Sequence, residues 1–128
     1  MKSKFKARKL EFRVWDGSRL FYSENLNRCP FIINGRHAIA LILNGFDIDE
    51  EGDTAITQFT GMRDKTKKKI FEGDIVKFLH HLDQKPRAIT FLNGTFTYQN
   101  TWYDYDGILY PEECEIIGNV FENPDLLK

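Results

Sequence analysis

The stretch FTGMRDKTKKKIFEGDIVKF, Phe59 to Phe78, sets a strongly basic middle between two apolar ends. Arg63, Lys65, Lys67, Lys68 and Lys69 place five cations within seven residues. The flanks read as strands. Ala55 to Gly61 carries β-branched and aromatic residues and ends on a glycine, and the extended run resumes at Lys69 or Ile70. Glu72-Gly73-Asp74 then separates Ile70-Phe71 from Ile75 to Leu79, with Gly73-Asp74 supplying a change of direction. The stretch therefore reads as a hairpin with a solvated basic turn. Such a turn also keeps a sheet edge soluble.

The same grammar recurs on both sides. Leu10, Phe12 and Val14 alternate with Glu11 and Arg13, the period of a half-buried strand. Asp16-Gly17 is a tight-turn dipeptide suited to a type I′ turn, and Leu20 to Tyr22 returns as the partner. Trp15 beside the turn reads as a core plug rather than a binding platform. Further on, Ile89 and Phe91 alternate with Thr90, Asn93-Gly94 turns the chain, and Phe96 and Tyr98 alternate with Thr95 and Thr97. Asp106-Gly107 marks another hairpin, and a strand near Glu115 to Phe121 precedes a stop at Pro124.

The region before Ala55 is less legible. Asn34-Gly35 and Asn44-Gly45 mark turns, and Ala38 to Leu43 is apolar on both faces, as a central strand or a short buried helix would be. Asp47 to Thr54 is an acidic loop. Counted from Asp47 as a calcium loop, Gly52 falls at the sixth position, but Gln58 stands where a bidentate Glu is needed, so no metal site is assigned. The expectation is a mainly β fold: a small SH3-like barrel or β-sandwich in the C-terminal half, an N-terminal β-hairpin region, and at most short helices. Residues 1–128 form one domain in this reading, with a variable sub-region at 1–57 and a compact one at 58–128.

Composition agrees with a folded globular chain: 41% hydrophobic and 29% charged residues, outside the range of disordered sequences. The basic N-terminus lacks the apolar run of a secretory signal, so Cys29 and Cys114 are expected to be free, buried thiols in the cytoplasm of a bacterial host. A net charge of −1 conceals an asymmetry: residues 1–87 hold 17 Lys and Arg against 12 Asp and Glu, whereas 88–127 hold seven acids and no Lys or Arg. Either the charges form two faces that meet between copies, or folding interleaves them.

Catalytic signatures are sparse. The phosphate-binding pattern Gly-x-x-x-x-Gly-Lys-Ser/Thr is absent. His80-His81 with Asp83 is a weak metal set, because adjacent strand residues point to opposite faces. Glu112, Glu113 and Glu115 read as a solvated acidic segment. No catalytic residue, metal ligand or cofactor is assigned, and the chain is expected not to be an enzyme.

Three segments together resemble the YopX family of phage and prophage proteins. They contribute Phe12, Arg13, Trp15 and Asp16; then Thr60, Gly61, Asp64, Ile70, Glu72, Gly73, Asp74, Ile75 and Val76; then Ile117, Gly118, Asn119, Glu122, Asn123 and Pro124. The resemblance implies a small, phage-borne, cytoplasmic protein that self-associates, and it brings no catalytic residue. Most of the matched positions have structural uses. Gly61, Gly73 and Gly118 suit positive φ or close approach, and Asp64, Asp74 and Asn119 suit turns that bond backbone donors.

The functional expectation is a phage- or prophage-encoded, non-enzymatic, self-associating interaction module acting on a host or phage protein. The alternative is a nucleic-acid-binding accessory protein using the basic hairpin at 63–69, where each phosphate contact adds a salt-dependent increment. The acids interleaved with the aromatic segment Phe96 to Tyr110 weigh against that alternative, because aromatic platforms for single strands sit in positive grooves.

Overall fold

The computed structural model describes residues 4–6, 10–15, 17–22, 55–79, 85–98 and 111–128. Among the described residues eight strands run in chain order: β1 Phe12–Trp15, β2 Leu20–Tyr22, β3 Ala55–Arg63, β4 Lys69–Phe71, β5 Asp74–Phe78, β6 Arg87–Leu92, β7 Thr95–Tyr98 and β8 Cys114–Asn119. They build two four-stranded antiparallel sheets, ordered β2-β1-β3-β4 and β7-β6-β5-β8. The helical elements among the described residues are two short 3-10 turns, Pro111–Glu113 and Pro124–Leu127. The expected mainly β fold with short helices only is what forms. No helix among the described residues is long and apolar enough to cross a membrane.

The first sheet draws on both sequence sub-regions, because β1 pairs with β3 in the register Phe12↔Gln58 through Trp15↔Ala55. Trp15 pairs with Leu20 across the first hairpin, so four residues intervene rather than the two of a type I′ connection. Trp15 itself is half-buried and stacks on Phe121 at 5.5 Å. The second hairpin is the tight one. Leu92 pairs with Thr95, and Asn93 and Gly94 both take positive φ, 53° and 80°.

β3 does not stop at Gly61. It runs on to Arg63, and its pairing with β4 shifts between Phe59↔Phe71 and Arg63↔Lys69. Gly61 takes φ +87° inside this bulge. The Thr60 hydroxyl patches the interrupted ladder, donating to the Ile70 carbonyl at 2.8 Å and accepting the Met62 N–H at 3.2 Å. A glycine in a strand pattern signals a bulge as readily as an end, and here it marks the bulge.

The sheets share a core. Ile70 from the first sheet packs with Val76, Ile89, Tyr98 and Cys114 from the second, and Met62, Phe78, Phe96 and Ile116 close around them. Each fully buried large aliphatic chain contributes about 1.5–3 kcal/mol. Gly73, between β4 and β5, is fastened to the second sheet through its backbone: its N–H reaches the Ile89 carbonyl and its own carbonyl accepts the Val120 N–H, both at 2.8 Å.

β1 departs from its expected face. Glu11 and Arg13, the polar partners in the alternation, are 5% and 2% exposed, whereas Leu10 is 54% exposed. A strand buried on both faces defeats a period-two reading. Asn34-Gly35, Asn44-Gly45, Ala38 to Leu43, the acidic loop at 47–54, Cys29, His80-His81 with Asp83, and Asp106-Gly107 all lie wholly or mainly outside the described residues.

Candidate functional site

The basic turn between β3 and β4 is organised by one carboxylate. Asp64 Oδ1 accepts the Thr66 N–H at 2.8 Å, the Thr66 hydroxyl at 2.7 Å and the Lys68 N–H at 3.0 Å. Its Oδ2 accepts the Ile116 N–H of β8 at 3.0 Å. The backbone adds Asp64 N–H to the Lys68 carbonyl, Lys67 N–H to the Asp64 carbonyl, and Lys65 N–H to the Cys114 carbonyl, each at 2.9 Å. Lys67 takes φ +70° to complete the turn. Burial raises the Asp64 pKa, but these donors outweigh it and hold the group below its ordinary value. One acid thus shapes the cationic turn and fastens it to the second sheet.

Beneath the turn lies a buried ion pair. Arg13 Nη1 meets Asp74 Oδ1 at 2.8 Å, with side chains 2% and 5% exposed. The guanidinium also donates from Nε to the Thr57 hydroxyl and from Nη2 to the Glu72 carbonyl, both at 3.1 Å, and stacks over Phe71 at 4.9 Å. Asp74 Oδ2 accepts the Phe71 N–H at 2.7 Å. Burial pushes the Asp74 carboxyl up, with Arg13 opposing that rise. Arg13 was legible only as part of a family pattern. Its role follows from its pairing with a residue distant in sequence.

The C-terminal segment supplies a second organised turn. Asn119 Oδ1 accepts the Phe121 and Glu122 N–H groups at 3.1 and 2.8 Å, and its Nδ2 donates to Glu122 Oε1 at 2.8 Å. Asn123 Oδ1 accepts the Asn119 N–H at 3.2 Å. Gly118 is needed for space: a Cβ there would lie 2.6 Å from Asn123 Oδ1 and 2.8 Å from Leu126 Cδ1.

These three constructions enclose a cleft of about 850 Å³. The basic hairpin lines it with Arg63, Lys67, Lys68 and Lys69. Tyr22, Phe71, Arg13 and Asp74 contribute from the two sheets, and Ile116 to Asn119 with Glu122 and Asn123 complete the lining. Of the sequence-predicted residues, Arg63, Lys67, Lys68, Lys69, Asp74, Gly118 and Asn119 come together here. Gly61, Asp64, Lys65 and Gly73 are not part of the lining. Lys65, Lys67 and Lys68 are exposed, and the Arg63 guanidinium donates to the Lys67 carbonyl at 2.9 Å. Lys69 is spent on an ion pair with Glu11 at 2.8 Å.

Tyr22, Ile116, Ile117, Glu122 and Asn123 had no sequence signal tying them to the lysines. Tyr22 sits edge-on to Phe71 at 5.4 Å. The charge asymmetry of the sequence is partly interleaved in space, since Lys65 bonds the backbone of Cys114 beside Glu113 and Glu115. Among the described residues, no group of three His, Cys, Asp or Glu side chains is placed to hold a metal ion.

The fold recurs in solved structures. The crystal structure of protein EF1440 from Enterococcus faecalis is similar with a TM-score of 0.62 and 23% identity, covering 95% of this chain and 100% of that one. The crystal structure of protein yopX from Bacillus subtilis is similar with a TM-score of 0.56 and 23% identity, covering 92% of this chain and 98% of that one. No curated protein matches the chain. The YopX protein family model matches residues 11–128, a span that holds every residue of the buried ion pair, both organised turns and the cleft. The chain belongs to the YopX family.

Proposed function

We propose that the protein is a phage- or prophage-encoded, non-enzymatic interaction module that self-associates, acts in the cytoplasm of a bacterial host, and engages a negatively charged host or phage partner at the cleft. The observation that carries this reading is how the charges around the cleft are committed. Asp64 accepts four hydrogen bonds, and both Asp74 oxygens are occupied by Arg13 and Phe71. A general acid or base needs a group that can exchange a proton with a substrate, and these two carboxylates hold backbone N–H groups, the Thr66 hydroxyl and the Arg13 guanidinium instead. Arg63, Lys67 and Lys68, by contrast, form no close ion pair among the described residues, although Arg63 donates to the Lys67 carbonyl and Lys68 favours the charged form of Asp74. Cationic charge without an ion-pair partner in a concave place serves recognition.

The basic turn is also what a nucleic-acid accessory protein would use. Lys65 stands outside the cleft lining, Lys69 is neutralised by Glu11, and Glu122 adds negative charge to the lining. A compact anionic partner suits this arrangement better than a long strand.

Light scattering at micromolar concentration tests self-association. Particles larger than the 15.0 kDa chain are expected, and a clean monomer removes that part of the reading. Recovery of partners from infected cells by the wild-type chain and by Lys67→Glu/Lys68→Glu tests the cleft. A partner retained by the first and lost by the second supports it; equal recovery removes it.

A further inference from the structure

We infer that the cleft takes a nucleoside phosphate, with its phosphates against Arg63, Lys67 and Lys68 and its nucleoside end toward Glu122 and Asn123. The inference rests on the proposed reading of the cleft as a recognition site and names the chemistry of its occupant.

Size is the first argument. Small-molecule sites run from roughly 300 to 1,000 Å³, and this cleft, at about 850 Å³, falls within that range. A nucleotide fits a space of this order, whereas a duplex would lie across it. Composition is the second. Guanidinium and ammonium groups are the usual partners of phosphate oxygens. Here they come from one turn whose backbone is fixed by Asp64, so they are gathered without first ordering a loop.

The elements that line the cleft also differ in chemistry, and this separates the candidate ligands. Glu122 and Asn123 lie on the C-terminal turn, which carries no cation in the lining. Asn123 uses Oδ1 to accept the Asn119 N–H, which leaves its amide NH2 as a donor. Glu122 uses Oε1 to accept from Asn119, which leaves Oε2 as an acceptor. A neutral heterocycle with donors and acceptors on its edge matches such a pair. An acidic peptide or continuous polyanion lying along the cleft would set charge against Glu122. Tyr22, half-buried and edge-on to Phe71, gives the lining an aromatic surface for the flat part of the ligand.

Isothermal titration of the full chain tests this. The probes are the 5′-diphosphates of adenosine, guanosine, cytidine and uridine, inorganic pyrophosphate, a 5′-phosphorylated oligodeoxynucleotide and a polyglutamate peptide. At least one nucleoside diphosphate should saturate at one per chain and bind roughly tenfold tighter than pyrophosphate. Lys67→Glu/Lys68→Glu should weaken it by roughly tenfold or more, because each former attraction becomes a repulsion. Lys65→Glu, on the same turn but outside the lining, should leave it unchanged. Equal affinity for the oligonucleotide would identify a strand end as the source of the ligand; clear preference for the free nucleotide would identify a metabolite.

Pyrophosphate binding as well as every nucleotide would overturn the inference while leaving the cleft a recognition site. Stronger binding of polyglutamate would do the same in favour of an acidic protein. No binding of any anion, or equal weakening by Lys65→Glu, would remove both. If the double variant fails to fold, backbone amide shifts of the wild-type chain on adding the nucleotide decide the matter: shifts confined to 63–69 and 116–123 support the site, and shifts elsewhere overturn it.

Discussion

Arg13 Nη1 and Asp74 Oδ1 meet at 2.8 Å, with both side chains almost wholly buried, and so tie β1 of the first sheet to β5 of the second. The pair is surrounded by further bonds, to Thr57, the Glu72 carbonyl and the Phe71 N–H. Its position beneath the cleft links the integrity of the fold to the shape of the proposed site.

Breaking one half of this pair leaves an uncompensated buried charge. Arg13→Met should therefore cost about 3–5 kcal/mol in urea unfolding. Adding Asp74→Asn removes the stranded charge, so the double variant should be more stable than Arg13→Met alone. Additive losses would show that the two residues act independently.

Two glycines with positive φ should respond differently to alanine. At Gly61 nothing lies within 4 Å of an added Cβ, so only the backbone penalty applies, about 1–2 kcal/mol. At Gly73, with φ +90°, the Cβ would stand 3.3 Å from the Phe121 ring, 3.4 Å from Val120 Cγ2 and 3.5 Å from Arg13 Nη2. Gly73→Ala should lose more, roughly 3 kcal/mol, through strain plus displaced packing. Equal losses in a denaturant melt would contradict the junction role given to Gly73.

Asp64 should leave a mark on acid stability. Its folded pKa lies below the unfolded value of 3.8, so its contribution is complete above that value and disappears as pH falls through the lower folded one. The stability gap between wild type and Asp64→Asn should hold at neutral pH and narrow on acidification below that value. A gap that widens on acidification would reverse the assignment.

Cys114 should be inert while the chain is folded. It is fully buried, and burial pushes its thiol up to about 11. Thiolate is the reactive form. Alkylation near pH 8, read by peptide mass spectrometry, should spare Cys114 in the native chain and modify it in urea. Rapid native labelling would show that the core around Tyr98 and Ile89 opens readily.

The hairpins were legible because their signals are local. Asn93-Gly94 with flanking alternation predicts the tight β6–β7 turn, and the basic run predicts the β3–β4 turn. Gly61 was misleading, since a strand end and a bulge use the same residue for the same conformational reason. Period-two patterning assigns charge to solvent and so puts Arg13 on the polar side of a half-buried strand. Only its partner Asp74, brought near by the fold, makes burial tolerable. The cleft was half legible: Arg63, Lys67, Lys68 and Lys69 announce charge, but Tyr22, Glu122 and Asn123 reach it through pairing that no local pattern encodes. Lys69 also shows why counting cations overstates a site, since Glu11 neutralises it.

The most direct measurement is a titration of the isotope-labelled wild-type chain with inorganic pyrophosphate, followed by amide chemical shifts at low and moderate salt. A saturable response concentrated at Arg63, Lys67, Lys68 and the Gly118 to Asn123 turn, and weakened by salt, is the predicted result. Shifts scattered over all lysines in proportion to exposure, or none at all, would contradict the assignment of the cleft as a recognition site.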